Sequence, residues 1–290
     1  MKYLAARVRL YLPLIKTPQT GLLLATGVAG YLSAGIQVNL AMFTGLIVSL
    51  FLAISGSTIL NMWYDHDIDT VMNRTHNRPL AAGTVGLQEA LRLGLVLSLL
   101  GVGLAIVMDP LYGLVVFAGL FFDVVIYTIW LKRKTSWSIV WGGVSGGMPI
   151  LAGRVLAIGA IDAIGILLTL AVLFWIPTHI LTFSMRYCDD YKAAGVPTFP
   201  STYGFAFTRA VIATSAILAA ICIGWASVLI GVEAGFLRLL VVLATGLLVL
   251  SFATVTRPSE RVNFGLFKYA SLYMLCSMVV LSIQPFVTIV

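Results

Sequence analysis

The 290-residue sequence has little charge: 10% of its residues are Asp, Glu, Lys or Arg, against 60% hydrophobic. A soluble domain carries about 25% charged residues. This chain therefore has too few charges to cover a water-facing surface of its size. That excludes a soluble enzyme, a coiled coil and a disordered chain. Cysteine is scarce as well, and Cys188, Cys222 and Cys276 form no CxxC and no ligand spacing. Neither a disulfide framework nor a zinc site is expected. The strict apolar–polar alternation of a membrane barrel is missing too. What the chain does have is long continuous apolar runs. Lipid admits only helices and closed barrels, so the expected class is an all-α polytopic membrane protein.

Nine transmembrane helices are expected, at roughly 19–37, 39–62, 90–108, 111–131, 138–157, 163–185, 207–231, 236–256 and 264–286. With the N-terminus in the cytoplasm, 16 of the 18 basic residues fall in cytoplasmic segments, Lys2, Arg7 and Arg9 among them. Only Arg154 and Arg238 lie on the other side. This asymmetry is the positive-inside pattern, so the basic excess points to membrane orientation and not to nucleic acid. Met1 to Lys16 is mildly basic and is not expected to be a cleaved signal peptide. The two long connections, about 63–88 and 186–206, are both cytoplasmic and four spans apart. They place function on that face and hint at a weak internal repeat.

The strongest local signal is Asn61-Met-Trp-Tyr-Asp65-His-Asp67-Ile-Asp69. Asn61, Asp65 and Asp69 recur every four residues and share one helix face, while Asp67 points nearly opposite. Stacked carboxylates at a membrane boundary repel one another, and a cation relieves that cost. Three oxygen ligands from protein, with water and substrate phosphate completing the shell, is how Mg²⁺ is usually held. A solvated helix end is the plain alternative. Arg78, in Asn77-Arg78-Pro79-Leu80, and a second acidic pair, Asp189-Asp190, at another span exit argue for a metal-bridged diphosphate instead.

Other residues are more open. Lys132-Arg133-Lys134 reads equally well as a positive-inside anchor or as a source of a diphosphate-binding lysine. Asp123 lies inside the fourth span and should face the bundle or be protonated. His179 follows Pro177 inside the sixth span, where a proline kink would turn it toward a cavity. Gly142-Gly143 and Gly146-Gly147 allow close helix packing. Trp63, Tyr64 and Trp137 read as interface anchors.

Asn61-xxx-Asp65-xxx-Asp69 with Arg78-Pro79 downstream resembles the first motif of the UbiA superfamily of intramembrane prenyltransferases. The string NMWYDHDIDTVMNRTHNRPLAAG is similar to one branch, the protoheme IX farnesyltransferases. So are YLPLIKTPQTGLLLAT at 11–26, YTIWLKRKTSW at 127–137, WGGVSGGMPI at 141–150, DDYKAAGVPTFP at 189–200 and LFKYASLYML at 266–275. The chain departs from that branch at His179-Ile180-Leu181, where His-Phe-Trp is usual, and at Ile150, where a second proline is usual. Arg186 stands at the first aspartate position of the second motif.

The resemblance implies a single domain over 1–290, with nine helices around a central cavity and a lateral opening to lipid. It implies Asn61, Asp65, Asp69, Asp189 and Asp190 as Mg²⁺ ligands, with Asp65, Asp69, Asp190 and His179 in the catalytic centre. Lys16, Arg78, Tyr127, Lys132 and Arg186 would bind substrate. Farnesyl diphosphate and protoheme IX are the implied partners, in the cytoplasmic membrane. A quinone precursor, a chlorin or a glycerol-phosphate lipid are alternative acceptors. A secondary transporter is the alternative of another class, disfavoured because nearly all the carboxylates cluster at the cytoplasmic exit rather than at the midplane.

Overall fold

The computed structural model describes residues 11–287, and among these there are helices, turns and loops but no strand. The Lys2, Arg7 and Arg9 part of the topology argument lies outside the described residues. The helices are α1 (Thr17–Leu32), α2 (Leu40–Tyr64), α3 (Leu87–Met108), α4 (Pro110–Leu131), α5 (Ser138–Ile158), α6 (Ala163–Arg186), α7 (Phe199–Ile230), α8 (Ala234–Thr256) and α9 (Glu260–Val287). Short helices, His66–Val71 and Cys188–Ala193, sit in the two long connections.

Eight of these, α2 to α9, are long and apolar enough to cross a bilayer, so the protein is a multi-pass membrane protein. The expected count of nine is corrected at α1. Its run was expected to reach residue 37, but the chain turns at Ser33 to Gly35, where Gly35 has φ 66°. The remaining 16 residues span about 24 Å, short of the roughly 30 Å of a hydrocarbon core. The helix is still packed into the bundle. Gly30 presses on the α5 backbone at Ile150, where a Cβ would collide, and Gly27 lies close to the Pro149 carbonyl and to Leu50 of α2, whose side chain a Cβ there would strike.

Helix α7 begins at Phe199, well before the expected 207. Thr198 caps its N-terminus in a reciprocal pairing with Ser201, and Gly204, at φ 81° and ψ 167°, breaks the helix before the apolar run starts. The α5 glycines do what their spacing implied. Gly143 and Gly147 lie against Leu173 and Thr169 of α6.

Two apolar clusters hold the bundle. One joins α6, α7, α8 and α9 through Trp175, Ile212, Leu247 and Tyr273. The other joins α1 to α5 through Tyr31, Leu50, Ala105, Tyr112 and Val155. Between them runs a cavity of about 880 Å³, walled by α1, α2, α4, α5, α6 and α9. An apolar groove of about 490 Å³ between α1 and α9 shares Gly21 and Leu275 with it.

Candidate active site

The Asn61–Asp69 row is built across a helix junction. Helix α2 ends at Tyr64, Asp65 takes φ −90° and ψ 5°, and a new helix starts at His66. The four-residue hydrogen bonding nevertheless continues. Asp65 N–H donates to the Asn61 carbonyl at 3.0 Å, and Asp69 N–H to the Asp65 carbonyl at 2.9 Å. The helical phase survives the break, so Asn61, Asp65 and Asp69 are all buried together. Asp67 turns outward, where Arg133 grips both its oxygens at 2.7 Å. That grip holds the Asp67 carboxyl below its usual range, against the opposing effect of burial.

Three cations converge on the row. Arg78 Nη1 donates to both Asp69 oxygens at 2.9 and 2.8 Å. Lys132 donates to Asp65 Oδ2. Lys16 donates to Asn61 Oδ1 at 2.7 Å, while the amide of Asn61 donates to Thr128 at 2.8 Å. Burial, with Arg78 and Lys132 as like-charged neighbours, pushes the Lys16 amine down to about 8. Lys16 is held at φ 46° and ψ 58°. It is the one residue other than glycine with positive φ among those described.

Helix α4 is α-helical to Phe121 and then a π-helix over Phe122–Leu131. Lys132 N–H accordingly bonds five residues back, to the Tyr127 carbonyl, at 2.8 Å. Nine residues make about two turns of a π-helix but two and a half of an α-helix. The π register therefore brings Asp123, Tyr127 and Lys132 to the same side. Asp123 and Tyr127 line the cavity wall, with Lys132 above them on Asp65. Asp123 accepts from Ser57, one turn below Asn61 on α2. The basic triplet divides its labour: Lys132 enters the site, and Arg133 holds Asp67.

The second acidic pair is split. Asp190 accepts from Asn73 Nδ2 at 3.2 Å and from the Arg74 backbone N–H at 3.3 Å, tying the two long loops together. Ile68, Met72 and Val196 pack as a small apolar cluster beneath that tie. Asp189 instead is fully exposed and lies 3.9 Å from Lys192. Arg186 also stays apart from the row. Its guanidinium lies 4.0 Å over Phe264 and 4.0 Å from Glu260. Asp189 and Arg186, expected as a second-metal ligand and a substrate-binding residue, thus lie apart from the Asn61–Asp69 row and pair with Lys192 and Glu260. Asp189 is held by a neighbour on its own short helix, and Arg186 by the start of α9.

His179 faces the cavity between the rings of Trp175 and Phe267, at 4.9 and 4.4 Å, with Nδ1 3.1 Å from the Ser271 hydroxyl. Sequence reasoning missed that clamp, and it missed Ser57, Thr128, Asn73 and Arg74. Apart from Trp175, which is four residues from His179, all of these act through partners more than 60 residues distant, Arg74 through Phe183 and Tyr187.

Among the described residues no three His, Cys, Asp or Glu side chains converge as a closed metal cage. The donor set is two carboxylates and one amide oxygen, and it fits a hard divalent cation. Asp65 Oδ1 is buried with no hydrogen-bond partner. A buried carboxylate oxygen without a donor is costly, and a cation at that position would satisfy it.

The UbiA prenyltransferase family model matches residues 22–274. A protoheme IX farnesyltransferase of Archaeoglobus fulgidus is 42% identical over 73% of this chain and 75% of its own length. One from Pyrobaculum islandicum is 35% identical over 90% and 94%. Among solved structures, one of digeranylgeranylglyceryl phosphate synthase superposes with a TM-score of 0.80 at 17% identity, covering 97% of this chain and 99% of that one. A UbiA homolog from Archaeoglobus fulgidus bound to DMAPP and Mg²⁺ gives 0.70 at 16% identity, covering 94% and 99%. Fold, motif order and sequence identity thus agree that the chain belongs to the UbiA prenyltransferase family.

Proposed function

We propose that the chain transfers the farnesyl group of farnesyl diphosphate to a vinyl group of protoheme IX, as a single domain over 1–290 in the cytoplasmic membrane, with its long loops in the cytoplasm. One observation carries the reading. A buried Asn–Asp–Asp row, with an unpartnered Asp65 oxygen and three cations around it, stands one helix turn beyond Ser57, which lines a mostly apolar cavity of about 880 Å³. The relatives named protoheme IX farnesyltransferase support the acceptor. The Mg²⁺ and prenyl diphosphate of the UbiA homolog support the donor chemistry.

Asn61, Asp65 and Asp69 would hold Mg²⁺, and Asp190 with Asp189 a second ion. When bound, Mg²⁺ neutralises diphosphate charge and so eases departure of that group. Lys16, Arg78 and Lys132 would exchange Asn61, Asp69 and Asp65 for diphosphate oxygens, which places fixed positive charge where negative charge grows. Arg186 would reach the diphosphate from the second loop once it left Glu260. Below them the apolar walls exclude water from the allylic cation. Tyr127 and His179 line those walls and would orient the ring acceptor.

Asp65→Ala and Asp69→Ala should each cut turnover by about a hundredfold or more while the purified protein still elutes as a folded species. The assay is mass spectrometry of heme after incubation with farnesyl diphosphate, Mg²⁺ and protoheme IX. Parallel incubations with a quinone precursor, a chlorin and a glycerol-phosphate lipid distinguish acceptors. Near-normal product from either variant overturns the site assignment. Diphosphate release only with another acceptor overturns the heme reading.

A further inference from the structure

Asp123 has no part in diphosphate binding, yet it is a carboxylate set in the wall of a mostly apolar cavity inside a transmembrane helix. Such a group is costly to keep, and the structure gives it a defined place. Ser57 donates to Asp123 Oδ2. Ser57, Asn61, Asp65 and Asp69 recur every four residues, so the Asp123 carboxylate sits beside the same ladder, about 6 Å below Asn61 along the α2 axis. Thr128 links the two levels: its hydroxyl donates to the Asp123 backbone carbonyl at 2.7 Å and accepts from the Asn61 amide at 2.8 Å. The π register turns Asp123 to the same side as Lys132. Lys16 and Lys132 lie within electrostatic reach. The carboxylate is therefore just inside the diphosphate end, where the reacting carbons of a bound prenyl donor and its acceptor must meet.

The proposed reaction leaves one step without a residue. Once the terminal vinyl carbon has bonded to the allylic carbon of the farnesyl group, positive charge rests on the carbon attached to the porphyrin. We propose that Asp123 is the general base for the water that quenches this cation. The water oxygen bonds to the cationic carbon, one O–H bond breaks, and its proton passes to Asp123. The product is an alcohol, and nothing is oxidised or reduced. The proton then leaves through the cytoplasmic mouth with the diphosphate. Without a base that aligns water, the same cation loses a proton from the neighbouring CH₂ and closes to an alkene. His179 is less well placed for the task. It belongs to the α6–α9 wall, where its ring is stacked between Trp175 and Phe267 and its Nδ1 is engaged by Ser271.

This inference rests on the heme-farnesylating reading, and the product itself separates the two. Purified protein is incubated with farnesyl diphosphate, protoheme IX and Mg²⁺, diphosphate release is followed, and the hemes are resolved by mass spectrometry. Wild type giving no farnesylated heme overturns the function. With wild type active, Asp123→Asn should release diphosphate within a fewfold of the wild-type rate. Its product should shift at least tenfold toward the alkene, lighter by one water, because a general base contributes about a hundredfold or more. Asp123→Glu should restore the alcohol. Ser57→Ala keeps the carboxylate but frees it, and should shift the ratio less, in the same direction. Where Asp123→Asn does not fold, Ser57→Ala at the wild-type ratio overturns the proposal. A wild-type product ratio in folded Asp123→Asn overturns it too, as does loss of diphosphate release in step with loss of product.

Discussion

Lys16 shows most directly how single residues are committed to the site. Its ammonium is spent on Asn61, and its backbone sits in the left-handed region that disfavours every residue with a Cβ. Strain of this kind costs about 1 kcal/mol or more and persists where the surroundings enforce it. The geometry predicts a split between two substitutions. Lys16→Gly and Lys16→Ala should both raise the KM for the prenyl diphosphate, by about tenfold. In thermal unfolding Lys16→Gly should be the more stable of the two, by about 1 kcal/mol. Equal stabilities would show that the positive φ carries no cost. Around the row, Lys16, Arg78 and Lys132 are each committed to one residue of it, Asn61, Asp69 and Asp65.

The fold depends most on contacts between helices. In lipid, helices gain little from hydrophobic segregation and rely on close backbone approach. Gly153 of α5 sits on the Gly27 carbonyl of α1, and a Cβ there would collide with backbone that cannot yield. Gly153→Val should therefore destabilise the bundle by about 3 kcal/mol or more, read as a lower melting temperature and reduced yield. Gly224→Ala in α7, where a Cβ meets nothing within 4 Å, should be neutral or slightly stabilising. The sequence made the glycine pairs of α5 and the four-residue acidic ladder legible, because both are periodic along one helix. It left three features hidden. The π-helix in α4 rests on a change of hydrogen-bond register that no residue type marks. Arg186 takes Glu260 as its partner from 74 positions away, and the choice of Asp190 over Asp189 is made by Asn73 across the loop interface. The ninth spanning helix was overcounted for a related reason, since the turn at Gly35 interrupts a run that stays apolar in composition.

Across the whole molecule, the two ends are held by different means. The end with the long loops carries the candidate site and is closed by two loops that pair through Asp190. The opposite end is fastened by one buried cation. Arg154, near the end of α5, donates to both oxygens of Asp162 at the start of α6, and its Nη1 reaches Ser33 at the end of α1. Asp162 also accepts from the Gly165 N–H and so caps α6. Three helices are thus locked by one charge pair at the end remote from the chemistry. The arginine holds the Asp162 carboxyl below the usual value of 3.8, against the opposing effect of burial. Because the folded state favours the ionised form, the stabilisation is complete above about pH 4 and is lost as pH falls through the lowered value. Asp162→Asn leaves Arg154 buried without its counter-charge and should cost about 1 to 3 kcal/mol at pH 7. The difference in melting temperature between wild type and variant should stay constant from pH 7 down to about pH 5 and then shrink below pH 4. A difference that does not change with pH would mean that Asp162 acts through its helix-capping hydrogen bond alone. At neutral pH the variant should keep the wild-type KM for prenyl diphosphate, because the site it would have to disturb lies at the other end of the bundle.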